Sequence, residues 1–185
     1  IELAYFIGLI IGNGNIQKSY IKTTFNIRDN DLISFMIDFG NRFALNPYIY
    51  KAKDKNCCDV SLCSVILLNW LNINGLKKEK SISKEIPPFI LKSSREIQCA
   101  FLKGLFDTDG HVNNHNLEYS TSSQILGEQV HQLLLINGII SHRIQRITKC
   151  NGKSFVSWRI NVSGDNARLY NQFIGFGSIR KQHAL

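Results

Sequence analysis

The sequence predicts an α+β fold in which two pseudo-symmetric α-β-β-α-β-β-α repeats pack through a pair of apolar helices. Two stretches carry this prediction, "LAYFIGLIIGNGNI" at 3–16 and "LKGLFDTDGHV" at 102–112. Each is an apolar helical segment that ends at a glycine, Gly14 or Gly110, and continues into strand-like residues. These glycines lie about half a chain length apart, and an internal repeat of such a period indicates that each half is one structural unit.

In the first half, the residues after the apolar helix predict two hairpins and two further helices. Segments 15–28 and 47–64 have the short alternating runs and polar turns of β-hairpins. Asp29 or Asn30 is placed to cap a helix with a broad apolar face. A last helix is predicted over 65–76, "VILLNWLNINGL".

In the second half the same order recurs. Segment 111–122 predicts a hairpin, and Ser122 or Ser123 begins a helix that Gly138 ends. Segment 141–163 contains Asn151-Gly152, the dipeptide most typical of a two-residue hairpin turn. The segment 166–176, "NARLYNQFIGF", predicts the closing helix.

The join between the halves lies in "SISKEIPPFILKSSREIQ". Pro87-Pro88 cannot continue a helix and marks a stop. Ser93 with Glu96 forms the sequence pattern of a capping box at the start of the second apolar helix. We therefore expect a first repeat over 1–86, a linker over 87–94 and a second repeat over 95–185.

The composition favours a folded chain with a polyanionic partner. Hydrophobic residues make up 44% of the 185 residues, which is enough for a core. No apolar stretch approaches the roughly 18 residues that a membrane helix needs, so we expect no membrane partner. Lys and Arg outnumber Asp and Glu by 22 to 14, and the formal net charge of +8 favours nucleic acid.

The cysteines do not have the spacing of a zinc site. Their number is odd, at five, and no C-x-x-C pair occurs among them. Reduced and mostly buried thiols of an intracellular protein are the better interpretation.

The two apolar helices also predict where chemistry would occur. Gly8 and Gly12 lie four residues apart on one helix face, as do Gly104 and Thr108, so the two helices can approach closely. If they pair in parallel, their C-terminal ends meet and place Asn13 beside Asp109. Free carbonyls and a carboxylate at such ends attract cations, in particular a hard divalent metal ion. The candidate metal ligands are Asp109, Asn13, Gly12 and Thr108.

The residues now carry a resemblance to a known family. "LKGLFDTDG" and "YFIGLIIGNG" resemble the repeated motif of the LAGLIDADG homing endonucleases, the second apart from its last acidic position. The flanking sequences are similar to those of the endonuclease domains of inteins. The similar segments are "KEIPPFI", "SSREIQCAFLKGLFDTDGHV", "YSTSSQILGEQVHQLLLINGI" and "IGFGSIRKQHAL". The resemblance implies a monomer in which the motif helices join the two repeats and the antiparallel sheets form a saddle on double-stranded DNA with a long specific target site.

The resemblance further implies the reaction and its residues. Members hydrolyse both DNA strands with Mg²⁺, for which Ca²⁺ or Mn²⁺ can substitute in the site. Asp109 and Asn13 would be the catalytic positions at the helix ends, and Lys80 and Lys181 occupy the places of the family's catalytic lysines. Arg28 fits a basic position that the family has near the metal ions.

The open faces of the two predicted sheets would bind DNA. Cations would contact phosphates and amides would recognise base edges. The candidate DNA-binding residues are Gln17, Lys18, Lys22, Asn26, Arg28, Lys51, Lys53, Asn113, Asn116, Arg143, Gln145, Arg146, Lys149, Arg159 and Asn161.

Asn13 sets the expected activity apart from that of the family. An amide oxygen can ligate Mg²⁺ but brings no charge, so we expect impaired cleavage or nicking of one strand. A non-catalytic, sequence-specific DNA-binding protein and an RNA-binding intron-splicing helper are the alternatives. In each case we expect an intracellular protein at its nucleic acid, in a prokaryotic cytoplasm or in a eukaryotic nucleus or organelle.

Overall fold

A computed structural model of the chain describes residues 1–51, 55–76, 80–150 and 152–185, without the side chains of 148–150 and 153. It confirms the α+β class and the predicted order of elements in both halves. The first repeat contains α1 (Glu2–Asn13), β1 (Gly14–Ile16), β2 (Ile21–Asn26), α2 (Asn30–Arg42), β3 (Pro47–Lys51), β4 (Cys57–Leu62) and α3 (Val65–Ile73).

The second repeat has the same order of seven elements, with two short helical segments before it in the chain and one after it. A 3-10 turn, Ser81–Ser83, and α4, Pro88–Leu91, lie before it. The repeat itself contains α5 (Arg95–Asp109), β5 (Gly110–Asn113), β6 (Asn116–Thr121), α6 (Gln124–Ile136), β7 (His142–Cys150), β8 (Lys153–Val162) and α7 (Asp165–Phe173). The chain then forms α8, Ile179–Ala184.

The join between the halves differs from the prediction in two ways. Pro88 does not simply stop a helix but begins α4 at a first-turn position, where its missing N–H costs nothing. The predicted capping box of Ser93 and Glu96 is wrong, because Ser94 is the N-terminal cap of α5 and makes no side-chain cap bond. The Ser93 hydroxyl instead donates to the Phe89 carbonyl at 2.6 Å and closes the end of α4.

Each repeat folds its strands into one antiparallel sheet with the same topology. The orders are β1-β2-β4-β3 and β5-β6-β8-β7. Alternate side chains point to opposite faces of a sheet. One face carries the buried residues, such as Phe25 and Val60 in the first sheet and Tyr119 and Ile160 in the second, and is covered by helices. We call the opposite face of each sheet its open face.

The two repeats meet along α1 and α5, which pack side by side in parallel. A Cβ atom added at Gly8 would lie 2.2 Å from the Phe101 carbonyl oxygen, and one at Gly104 would lie 2.1 Å from that of Tyr5. Both positions therefore require glycine for backbone contact, as the sequence predicted. No helix in the described ranges is long and apolar enough to span a bilayer.

Candidate active site and nucleic-acid interface

Asn13 and Asp109 are the last residues of α1 and α5, and both side chains are exposed. The parallel packing of these helices brings the two residues to one cleft of about 500 Å³ between the sheets. Lys22 and Thr24 of the first sheet and Ser120 of the second also line it. Positions 13 and 109 therefore meet at one surface site, as predicted.

Lys181 closes the C-terminal end of α5. Its side chain is buried, and its Nζ donates to four carbonyls, those of Phe106, Asp107, Thr108 and Gly110, at 2.9, 2.7, 3.3 and 2.6 Å. A cation at this end of a helix is favoured by the helix dipole. Burial lowers the pKa of Lys181 to about 8, and the nearby Asp107 carboxylate opposes that fall.

Lys84, and not Lys80, plays the matching part at α1. The Lys84 Nζ donates to the Ile11 and Gly12 carbonyls at 2.6 and 2.8 Å. Lys80 is an exposed residue before the 3-10 turn, so its predicted equivalence with Lys181 is wrong. A sequence signal for Lys84 existed, because "SISK" at 81–84 matches "SIRK" at 178–181.

The two lysines flank the Asp109 carboxylate. Desolvation by the surrounding protein raises the pKa of Asp109, and the charges of Lys84 and Lys181 act against that rise. Burial likewise lowers the pKa of Lys84, with Asp109 opposing. The Asp109 carboxylate thus lies within the electrostatic influence of two lysines at the junction of the repeats.

The Asn13 side chain is fixed by the first sheet. Its Nδ2 donates to the Thr24 carbonyl at 2.5 Å, which leaves the amide oxygen as the free acceptor. The described residues contain no cluster of three or more His, Cys, Asp or Glu that could hold a metal ion. Mg²⁺ commonly takes only one or two carboxylates together with substrate phosphates and waters. Asp109 with the Asn13 amide oxygen fits such an ion.

The other two predicted metal ligands, the carbonyls of Gly12 and Thr108, already accept hydrogen bonds from Lys84 and Lys181. The Thr108 hydroxyl is also engaged, since it donates to the Leu105 carbonyl at 2.9 Å. Ammonium groups therefore satisfy both helix ends in this structure, which leaves the side chains at positions 13 and 109 as the available oxygen donors.

Asp107 points away from the cleft into the interface between the repeats. The Tyr5 hydroxyl donates to its Oδ2 at 2.6 Å, and the backbone N–H groups of Gly177 and Ser178 donate at 2.8 and 3.0 Å. Burial raises its pKa, while these donors favour the ionised form. Asp107 is therefore a polar contact between α1, α5 and the 177–178 segment rather than part of the cleft.

Strand register decides which predicted DNA-binding residues face outward. Seven of them lie on the open faces, namely Lys22, Asn26, Asn113, Asn116, Arg146, Arg159 and Asn161. Two of these cations already have acidic partners on the same face, as Lys22 pairs with Asp59 at 2.8 Å and Arg159 with Glu118 at 3.2 Å. In each open face an ion pair thus joins the two central strands.

Three predicted open-face residues lie on the other face of their sheet. Lys51 pairs with the buried Cys58, so it is exposed on the helix side. Arg143 and Gln145 pair with Ile160 and Trp158 in the same way. The expectation that these three line the open faces is wrong, because an edge strand with polar residues on both sides does not reveal its register by alternation.

The remaining predicted positions lie in turns or outside the described residues. Gln17 and Lys18 are in the turn between β1 and β2, and the Gln17 Nε2 donates to Asn15 at 2.9 Å. Arg28 is exposed beyond β2 and does not line the cleft with Asn13 and Asp109. Lys53 and the Lys149 side chain are not among the described parts of the chain.

The comparisons with known proteins agree with this architecture. Residues 96–175 match the sequence model of the LAGLIDADG-like domain. The replication factor C small subunit of Methanocaldococcus jannaschii is 29% identical over 97% of the chain, which spans 10% of that protein. An ATP-dependent DNA helicase of Thermococcus kodakarensis is 27% identical over 95% of the chain, which spans 16% of it. The chain therefore covers only a small part of each of these relatives.

Solved structures show the same fold. The homing endonuclease I-DmoI in complex with DNA and Mn aligns with a TM-score of 0.64 at 19% identity, covering 94% of this chain and 95% of that one. Full-length DUF199/WhiA from Thermatoga maritima aligns with a TM-score of 0.67 at 14% identity, covering 98% of this chain and 57% of that one. At these identities the likeness concerns the fold.

Proposed function

We propose that the chain belongs to the LAGLIDADG-like family, whose sequence model matches residues 96–175, and that it is a metal-dependent, site-specific endonuclease of double-stranded DNA. We propose further that Asn13 impairs its cleavage. The two repeats, 1–86 and 95–185, act as the two halves of one monomeric binding surface, joined by 87–94.

One observation carries the proposal. One cleft is lined by Asp109, Asn13 and Lys84 at the junction of two sheets whose open faces are both exposed. Lys181 caps the helix end that carries Asp109, as Lys84 caps the helix end that carries Asn13. A duplex lying across both open faces would present its backbone to this cleft. Cations on those faces supply the phosphate contacts that dominate DNA affinity.

A divalent metal ion, Mg²⁺ by preference, completes the proposed chemistry. When bound, it would polarise a phosphate and activate water. Asp109 and the Asn13 amide oxygen would hold it. Lys84 and Lys181 would keep the helix-end carbonyls satisfied and place positive charge beside the developing negative charge. With one carboxylate in place of two, the cleft holds a divalent ion weakly, which supports slow cleavage or nicking.

The relatives support a mobile origin. The replication factor and helicase relatives have unrelated names, and both contain nearly the whole span of this chain within a longer protein. A segment shared by such proteins is best explained as an inserted domain, as in an intein. It would act inside the cell on the DNA of its host.

A non-catalytic DNA-binding protein is the second candidate, and Asn13 is the observation that favours it. The fold is also that of DUF199/WhiA, so the architecture alone does not require a nuclease. In this case the cleft would be a remnant and the open faces would keep their binding role.

The test begins with selection of duplexes from a randomised DNA library in Ca²⁺, followed by incubation of a supercoiled plasmid carrying the selected site with Mg²⁺. We expect one enriched sequence and slow formation of nicked circles. Asp109→Asn should abolish nicking while binding persists. Nicking that is absent or unchanged by Asp109→Asn would instead favour the non-catalytic protein. Failure to enrich any duplex, with binding to structured RNA, would overturn the proposal in favour of the splicing helper.

A further inference from the structure

We propose that Asp29 and Ser123, which occupy the N-terminal cap positions of α2 and α6, are positioning residues that hold the helix-capping lysine of the opposite repeat. This inference rests on the proposed function for its catalytic meaning, but the contacts that carry it are independent of DNA. Asp29 belongs to the first repeat and acts on the segment of Lys181. Ser123 belongs to the second repeat and acts on the segment of Lys84.

The Asp29 contacts are built around a buried carboxylate that does not cap its own helix. Asp29 precedes α2, and yet its side chain makes no cap hydrogen bond and is only 5% exposed. Its two oxygens instead accept a bidentate pair from the Arg180 guanidinium at 2.9 and 3.0 Å. The Ser178 hydroxyl donates to the same carboxylate at 3.0 Å. Ser178 and Arg180 both belong to the short segment that leads into Lys181.

The segment is held from the second repeat as well. Asp107 accepts from the Ser178 backbone N–H at 3.0 Å, and the Lys181 ammonium donates to the carbonyl end of α5. Asp31 of α2 accepts from the Ile179 N–H at 2.9 Å. The residues 178–181 are thus clamped between α2 of one repeat and α5 of the other.

Ser123 makes the matching contact on the other side of the pseudo-twofold axis. It is fully buried, and its hydroxyl donates to the Lys84 carbonyl at 2.6 Å. The same oxygen accepts from the Leu126 N–H at 3.1 Å, so this residue also caps α6. Lys84 therefore lies between the start of α6 and the end of α1, and both lysines are fixed by the two repeats together.

The recurrence at both lysines distinguishes this arrangement from an incidental contact. The capping position before the second helix of each repeat has a polar side chain, a carboxylate in one and a hydroxyl in the other, and each reaches the "SIxK" segment of its partner repeat. The bidentate Arg180 pair makes the Asp29 side the stiffer of the two, because planar paired hydrogen bonds fix both orientation and distance.

Lysine acylation of the free protein tests the proposal without DNA or cleavage. Acetic anhydride is applied at low extent, and the modification rates of Lys84 and Lys181 are read by mass spectrometry. We expect Asp29→Ala to raise the rate at Lys181 about tenfold, which corresponds to about 1.4 kcal/mol, and to leave Lys84 unchanged. Ser123→Ala should do the converse. Asp38→Ala, an exposed carboxylate change on the same helix α2, should alter neither rate.

Folding is checked for each variant by thermal melting, and the rates are compared well below the melting temperature. If Asp29→Ala does not fold, Arg180→Ala removes the same clamp from an exposed residue and should also release Lys181 alone. Equal acceleration at both lysines, or none at Lys181, would overturn the proposal. The endonuclease hypothesis fails on different grounds, by the DNA selection and nicking assays, so the two failures are distinguishable.

Discussion

Asn13 and Asp109 occupy equivalent helix ends, and the difference between them is one charge. Both side chains open into the same cleft, and the positive charges of Lys84 and Lys181 both act on Asp109. With a carboxylate at only one position, the cleft has an excess of positive charge over negative. Such a balance suits a phosphate group better than it suits a second metal ion.

Reverting this difference is the first prediction. Asn13→Asp should convert nicking, or binding alone, into double-strand cleavage of the selected site with Mg²⁺, because the added carboxylate strengthens metal binding at that helix end. Cleavage is measured as linear plasmid over time. The variant also loses the amide donor to the Thr24 carbonyl. Asn13→Ala serves as the control for that loss and should give no linear plasmid. Absence of linear product from Asn13→Asp would refute the explanation of this position.

At the level of elements, the α1–α5 pair determines how closely the two repeats approach. Gly8 and Gly104 let the helix backbones touch, and a side chain at either position would meet a carbonyl oxygen of the facing helix. Aromatic side chains then fill the space around the pair, as in the stacked Phe6 and Phe39 rings at 4.3 Å. Separation of the helices would therefore disturb both cores.

Gly104→Ala provides the second prediction. The new Cβ would lie 2.1 Å from the Tyr5 carbonyl oxygen, so the helices must separate, and we expect a loss of about 1–3 kcal/mol or more in the free energy of unfolding. Urea denaturation measures it. Gly127→Ala is the matched control, because its Cβ would meet only side-chain atoms, the nearest at 3.1 Å. A loss at Gly104 no larger than that at Gly127 would contradict the close-packing argument.

The third prediction concerns edge strands β3 and β7, whose register determines which side chains lie on the open face. Arg146 lies on the open face and Lys51 on the helix side, and both are exposed. Arg146→Ala should weaken DNA binding and reduce the slope of log affinity against log salt by about 0.9, the value for one phosphate contact. Lys51→Ala should change neither. Titrations at several salt concentrations measure both effects, and equal slopes for the two variants would show that the open face is not the binding face.

The same elements show what could be predicted from the sequence. The order of helices and strands followed from hydrophobic period and turn residues, which act locally. The pairing of α1 with α5 followed from glycines at spacing four. The faces of Arg143 and Gln145 did not, because an exposed edge strand alternates polar residues on both sides and only its partner fixes the register. The role of Lys84 could have been predicted from the repeated "SIxK" sequence. The Asp29–Arg180 pair could not, because it joins residues 151 positions apart and depends on the tertiary fold.

At the scale of the whole molecule, the two repeats have the same topology, but the strands of their outer hairpins differ in length. The outer hairpin of the first repeat has strands of 5 and 6 residues, whereas that of the second has strands of 9 and 10. At about 3.3 Å per residue, the four extra residues make β8 about 13 Å longer than β4. We therefore expect the second repeat to contact a longer stretch of DNA.

This inequality gives the fourth prediction. At about 3.4 Å per base pair, the second repeat should protect about four base pairs more than the first, counted from the cleft. Hydroxyl-radical footprinting on the selected site measures the protected lengths. A cleavage reagent attached to Cys63, an exposed thiol just beyond β4, identifies the side of the first repeat. Equal protection on the two sides would contradict the prediction.

The unequal hairpins also give the complex a direction. A protein with equal arms can bind a palindrome in either of two equivalent orientations, but this chain has a long end and a short end. Each encounter with its site would therefore seat Asp109 beside the phosphates of the same strand. If the single carboxylate permits only one cut, that cut should always fall on the same strand, and the polarity of the target would determine which strand is broken.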